Sequence, residues 1–224
     1  MIGNRAADDA FFFTPPTGVR LLLRPLTPGD RDRLREGLAW MSDDSRYERF
    51  LTPMPRFTDA QLRYLTDVDQ ADHVAWAALD PAVPQVPGIG VGRFVRLADT
   101  ADTAVTPVIA EIAITVIDLY QRRGVGIALF ALLYHLAQRG GVAALRATLH
   151  PSRNGLADRL RQLGAVGRFR DGVLQLDLPV HHDLSRLPST ALAQHLRRTV
   201  EGVERARMFD TLGPERLGPT VSGW

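Results

Sequence analysis

The stretch AEIAITVIDLYQRRGVG, residues 110–126, decides how the rest of the chain is read. It opens as an alternating apolar strand and breaks into two arginines and two glycines, just where the period changes to that of a helix. From Gly124 to Gly140 that helix carries Val125, Leu129, Leu132, Leu133 and Leu136 on one face. Gly124 and Gly126 have no Cβ, so backbone N–H groups there can approach a bulky anion. The unpaired amides and dipole of a helix start favour the same anion, and Arg122 and Arg123 add charged donors beside it. A pyrophosphate cradle and an ordinary strand-to-helix turn with solvated arginines are both consistent with these residues. A dinucleotide fingerprint is set aside: the third glycine is missing, and the acidic residue expected about 20 positions on falls instead in LRATLH, which has none.

Working outward, VRLLLRPL (19–26) is a strand, and TPGDRDRLREGL follows as a helix with Thr27 as N-cap and Pro28 at its first position. SDDSRYERFL (42–51) and a segment from Thr58 are helical, separated by the Pro-punctuated TPMPR. Three extended segments come next, at 73–80, 88–98 and 108–117. After the central helix, LRATLH (145–150) is a strand and PSRNGLADRLRQLG a helix closed by Gly164. GRFR and VLQLDLPV form a hairpin about Asp171-Gly172. Residues 1–17 read as a flexible leader, 18–180 as the domain, and 181–224 as an extension. The extension holds one helix at about 189–208, with Leu192, Leu196, Val200 and Val203 on one face, and a disordered end. That lone amphipathic helix packs back on the domain or meets a second copy.

Composition removes several chemistries. The chain has 224 residues and no cysteine, which excludes disulfides, thiolate zinc sites and a covalent thioester on the protein. All 27 basic residues are arginine, so a Walker-type phosphate loop and a Schiff-base lysine are excluded as well. The formal charge of +2 is spread without a basic, aromatic-interleaved stripe, so no nucleic-acid partner is expected. No apolar run reaches membrane-spanning length, and a cytoplasmic location is expected. His73, His135, His150 and the His181-His182 pair read as structural or exposed, and no metal is expected.

QRRGVG, Gln121 to Gly126, resembles the Q/R-x-x-G-x-G/A motif of the GNAT superfamily of N-acetyltransferases, and NGLADRLRQLGA resembles that family's later asparagine region. From about Val19 to Val180 the segments LRPLTPGDRDRL, SDDSRYERFL, QLRYLTDVD, GVGRFVR and AEIAITV are similar, in order, to bacterial Pat-type protein lysine acetyltransferase domains. The resemblance implies an α/β (α+β) GNAT fold: a mixed, mostly antiparallel sheet of about six to seven strands flanked by helices, with a helical tail. It implies acetyl-coenzyme A as cosubstrate, with pyrophosphate contacts from Gln121, Arg122, Arg123, Gly124, Val125, Gly126 and Ile127. Ile114 and Val116 then pair with the pantetheine arm, and Asn154 hydrogen-bonds near it.

Direct transfer to an amine needs the neutral amine, and a lysine is only about one part in a few thousand neutral at pH 7. A general base contributes typically 10²- to 10⁴-fold. Glu111, a carboxylate inside an otherwise apolar strand, matches the glutamate that serves as base in the family, and partial burial is expected of it. Many members also carry a tyrosine after the asparagine to protonate the leaving thiolate; here none follows Asn154, and Tyr120 and Tyr134 stand elsewhere. Tyr47 and Arg49 fall where the family lines its acceptor cleft, while Phe50 and Leu51 read as core. The leading reading is acetyl transfer to a lysine of a protein, such as a metabolic enzyme. The alternatives are a small amine or antibiotic as acceptor, which an enclosed acidic pocket favours, and a non-catalytic acyl-coenzyme A binding module acting through the tail helix. With no lysine in the chain, no self-acetylation of a side chain is expected, which mass spectrometry of the purified protein checks.

Overall fold

A computed structural model describes residues 9–16, 18–97, 107–152 and 154–212, with side chains 210–212 excepted. Its centre is one sheet of eight strands in the order β1-β2-β3-β4-β5-β6-β8-β7. The strands are β1 (Phe11–Phe13), β2 (Leu21–Pro25), β3 (His73–Leu79), β4 (Gly90–Arg96), β5 (Ile109–Val116), β6 (Ala144–Leu149), β7 (Val166–Arg170) and β8 (Val173–Pro179). Every neighbouring pair is antiparallel except β5 and β6.

The count exceeds the expected six to seven because Phe11–Phe13, inside the stretch read as a flexible leader, pair with Leu21–Leu23. Alternation explains it: Phe11 and Phe13 point into the core, while Phe12 points out beneath the Arg20 guanidinium. Three aromatic residues were too short a run to announce a strand, yet two of them bury enough apolar surface to fix one.

The helices form two layers. On one face, α1 (Arg31–Ala39), α2 (Asp43–Phe50) and α3 (Asp59–Thr66) lie in sequence between β2 and β3. A single 3₁₀ turn at Pro28–Asp30 enters α1, and Asp30 accepts from the Thr27 amide at 2.9 Å and from Arg24 at 2.8 and 2.5 Å. Burial works to raise the Asp30 carboxyl, but the bonds from Arg24 and Thr27 outweigh it and hold the group below its ordinary range. Ser42 and Thr58 cap α2 and α3, the latter through a reciprocal box with Gln61.

On the opposite face α4 (Val125–Arg139) lies against β4, where glycines let it come close: a Cβ at Gly92 would stand 2.9 Å from Leu133. After β6 comes α5 (Asn154–Gln162), and after β8 the last helix, α6 (Ala191–Leu212). Helix α6 packs on α4 and β1 and buries Ala193, Leu196, Val200 and Val203 completely. Each large apolar side chain so buried contributes about 1.5–3 kcal/mol, which is why the tail docks as an integral part of the domain. The face considered for a homodimer is therefore occupied within the chain. The helix runs a turn past its expected end, and the end read as disordered lies outside the described residues.

Candidate active site

The sheet is split in its middle. β4 pairs with β5 along its whole length, to Val116, and β8 pairs with β6 as far as Leu149. Between β5 and β6, however, the pairing covers only Ile109–Glu111 with Ala144–Arg146. Past those three pairs the strands diverge, leaving Ile112–Val116 and Ala147–Leu149 facing a groove of 790 Å³ whose other walls come from α2, α3 and α5. An unpaired strand edge inside a sheet presents free N–H and C=O groups to an extended ligand. Ile114 and Val116 lie on that edge.

At one end of the groove the chain turns from β5 into α4. A 3₁₀ turn at Asp118–Tyr120 leads to Arg122, at φ 59°, and Gly124, at φ 83°. Two left-handed residues so close together bend the backbone into a concave loop. The first intrahelical bond of α4 runs from the Ala128 amide to the Gly124 carbonyl, so the amides of Val125, Gly126 and Ile127 have no helical acceptor. No side chain caps this helix and its first turn holds no acidic residue. Arg122 and Arg123 are exposed beside it, Arg123 lying 5.4 Å over the Tyr120 ring.

Gly126 is not demanded by packing, because the nearest atom to an added Cβ is Val116 Cγ2 at 3.9 Å. The room is left for something outside the chain. An uncapped helix start, free amides, two arginines and an open glycine fit a phosphate-bearing group of the size of a pyrophosphate. The Gln121 side chain does not point a free donor at that group; it bonds to Ser45 Oγ at 3.1 Å and Asp118 Oδ1 at 3.0 Å. Asp118 also accepts from the Ser42 amide and Ser45 Oγ, tying α2 to the loop, and the Ser45 bond foremost keeps its carboxyl below the ordinary range.

Glu111 stands at the point where the strands part. Its Oε1 accepts from Thr148 Oγ1 at 2.8 Å, across the opening. The partial burial expected of Glu111 does not hold: the residue is exposed, because the split that gives it a groove to face also gives it water. Arg146, its register partner, is committed elsewhere, bonding Asp177 at 2.7 and 2.8 Å.

On the α1–α3 side of the sheet the groove floor carries two arginines, Arg93 from β4 and Arg49 from the last turn of α2. Arg93 is 6% exposed, and burial together with the Arg49 charge pushes its guanidinium down to about 9. Arg49 is also pushed down by burial, partly offset by Glu111. Tyr64 and His73, their rings 5.2 Å apart, complete this corner.

The structure thus brings Ile114, Val116 and Gln121, and the loop of Arg122, Arg123, Gly124, Val125, Gly126 and Ile127 that follows, to one end of a groove, with Glu111 at the other, where β5 and β6 part. Asn154 is the exposed first residue of α5, the helix whose Leu156 and Leu160 line the far wall. Tyr47 packs its ring against His150; Phe50, half-buried, packs against the core while also lining the groove, and Leu51 is half-buried in the groove wall. Tyr120 and Tyr134 are structural: Tyr120 donates to Asp80 at 2.9 Å, and Tyr134 donates to the Pro179 carbonyl at 3.2 Å. Sequence reasoning missed Arg93, Thr148 and Asp118. Of these only Arg93 left a signal, a charge set inside the alternating strand GVGRFVR. Among the described residues no cluster of three His, Asp or Glu side chains is placed to hold a metal, and no helix is long and apolar enough to cross a membrane.

Comparison with known proteins gives consistent results. The family described as "Acetyltransferase (GNAT) domain" matches residues 20–166. The chain is 35% identical over 177 residues to the acetyltransferase Pat of Mycolicibacterium smegmatis, covering 76% of this chain and 50% of that protein. It thus spans about half the length of that relative. A second relative, the acetyltransferase PA5475 of Pseudomonas aeruginosa, is 27% identical over 151 residues, 67% of this chain and 77% of its own length. The crystal structure of the GNAT domain of S. lividans PAT superimposes with a TM-score of 0.67 at 29% identity, covering 77% of this chain and 98% of that one.

Proposed function

The chain belongs to the GNAT acetyltransferase family, and on that premise we propose that it transfers the acetyl group of acetyl-coenzyme A directly to a primary amine, a lysine side chain of a protein. The observation that carries the reading is the split between β5 and β6, which joins an anion-binding helix start to a carboxylate through one continuous groove.

Bound acetyl-coenzyme A supplies an acetyl thioester; the rest of the chemistry belongs to the chain. The uncapped amides of Val125, Gly126 and Ile127, with Arg122 and Arg123, hold the pyrophosphate. The open edge at Ile114 and Val116 takes the pantetheine arm as a short added strand, with Asn154 across from it. Glu111, its carboxylate oriented by Thr148, removes the proton from the acceptor amine, directly or through one water. No cysteine is available to carry the acetyl group, so amine and thioester meet in one complex.

The Pat relative and the S. lividans domain support the lysine acceptor. The shape and charge of the groove agree: it is large, and its charged lining balances Arg49 and Arg93 against Glu48 and Glu111, unlike the enclosed acidic pocket that a small polyamine or antibiotic acceptor favours. The test is release of coenzyme A from acetyl-coenzyme A in the presence of lysine-rich proteins, wild type beside Glu111→Gln, with cofactor affinity measured for both. Wild type should turn over, and the variant should bind cofactor equally while losing about 10²-fold or more in rate. Tight cofactor binding with no modified protein would overturn the lysine acceptor.

A further inference from the structure

Arg49 and Arg93 are not explained by acetyl transfer to an amine as such. Arg93 has its partners in neutral groups: Nη2 donates to the Leu65 carbonyl at 3.2 Å, and Nη1 lies 3.2 Å from His73 Nε2. Among the described residues Arg49 makes no hydrogen bond; its guanidinium lies 5.0 Å over the Phe50 ring. Among the described residues neither has a carboxylate within ion-pairing distance. Two largely dehydrated cations side by side are unfavourable for the protein alone, each lacking the partner that normally offsets the loss of water. Holding the Leu65 carbonyl gives Arg93 a structural duty, but leaves Arg49 without one.

Their position supplies the missing partner's chemistry. Glu111 pairs in register with Val95, so Arg93, two residues along the same strand face, is its diagonal neighbour, at a separation of about 7–8 Å. The groove floor is therefore dipolar, with an acid where the amine is deprotonated and two cations a short step away.

Resting on the acetyltransferase reading above, we propose that Arg49 and Arg93 form a carboxylate subsite that selects amines carrying an acid group a short chain away from the nucleophilic nitrogen. In a protein acceptor that group is an Asp or Glu beside the target lysine; in a small acceptor it is the carboxylate of an amino acid with an extended chain. Planar guanidinium groups suit it through paired hydrogen bonds.

The test uses two capped peptides, each with a single lysine followed by Glu or by Gln, and compares kcat/KM from coenzyme A release. Wild type should favour the Glu peptide by about tenfold or more, which is about 1.4 kcal/mol. Arg49→Gln and Arg93→Met should each bring the ratio toward one, with the loss falling on the Glu peptide. Arg161→Gln, on the outer side of α5 where it pairs with Asp158, should leave the ratio as in wild type. Equal use of both peptides by wild type overturns the subsite and leaves the lysine reading intact.

If neither peptide is modified, the lysine reading has failed, and the subsite is judged by 6-aminohexanoate against 6-aminohexanamide. The acid should be the better acceptor and should raise the melting temperature of the coenzyme A-loaded wild type but not of Arg49→Gln. No difference between acid and amide in either readout overturns the proposal. The melting readout does not depend on turnover, so it also covers a variant that is folded but inactive.

Discussion

The two ends of the groove present charge by opposite means. At the β5–α4 junction the donors are backbone amides and exposed arginines within one hexapeptide, held open by left-handed residues and a glycine that packing does not require. At the floor the charges are side chains drawn from α2, β4 and β5, with Arg93 buried, Arg49 half-buried and Glu111 open to the groove, and their positions follow from long-range pairing. The first end tolerates sequence change wherever the backbone keeps its shape. The second depends on single side chains, and can differ in selectivity without any change of fold.

That contrast can be broken at points of decreasing force. Gly126→Ala places a methyl group into open space 3.9 Å from Val116, so the fold should be unharmed and the helix slightly favoured, by about 0.5–1 kcal/mol. Coenzyme A affinity should nonetheless fall about tenfold by calorimetry, because the cradle is filled. Unchanged affinity would mean that the glycine does not face the cofactor. At the other end, Thr148→Val keeps the shape but removes the donor to Glu111, at a cost of about 1 kcal/mol or fivefold in kcat, with cofactor affinity as in wild type. A matching loss of cofactor affinity would show the two ends to be coupled.

The smallest effect is on stability against pH. Burial lowers His73 and His135 from the ordinary 6.5, with Arg93 adding at His73, so both favour the neutral form in the fold. The unfolded chain then binds more protons than the native one as pH falls through 6.5, and stability present above that value is lost below it. Denaturation midpoints at pH 7.5 and 5.5 should show the decline, and His135→Gln should flatten it. The carboxyls held low, Asp30 and Asp118, act in a separate window below 3.8 and do not obscure the test.

The same contrast explains what could be read in advance. QRRGVG announced its end of the groove because strand, loop and helix start are contiguous, and local chemistry alone builds the cradle. Glu111 was visible as a charge in an apolar strand, but its exposure was not, since exposure follows from where β5 and β6 part. Thr148 and Asp118 carried no local signal: one acts across two strands 37 positions apart, the other on a helix 73 to 76 positions earlier. Phe11–Phe13 was missed as a strand because its partner β2 and its cover, α6, come from opposite ends of the described chain.

In mechanical terms the sheet is two plates, β1–β5 and β6–β8, seamed along only three residue pairs. An extended ligand in the gap adds rungs on both sides of that seam, so loading the groove also stiffens the scaffold. Protection of amides from exchange should therefore spread along Ile112–Val116 on binding, while the β2–β3 seam, already complete, barely changes. On the function proposed above, the sheet lacks one strand and the cosubstrate is the piece that closes it.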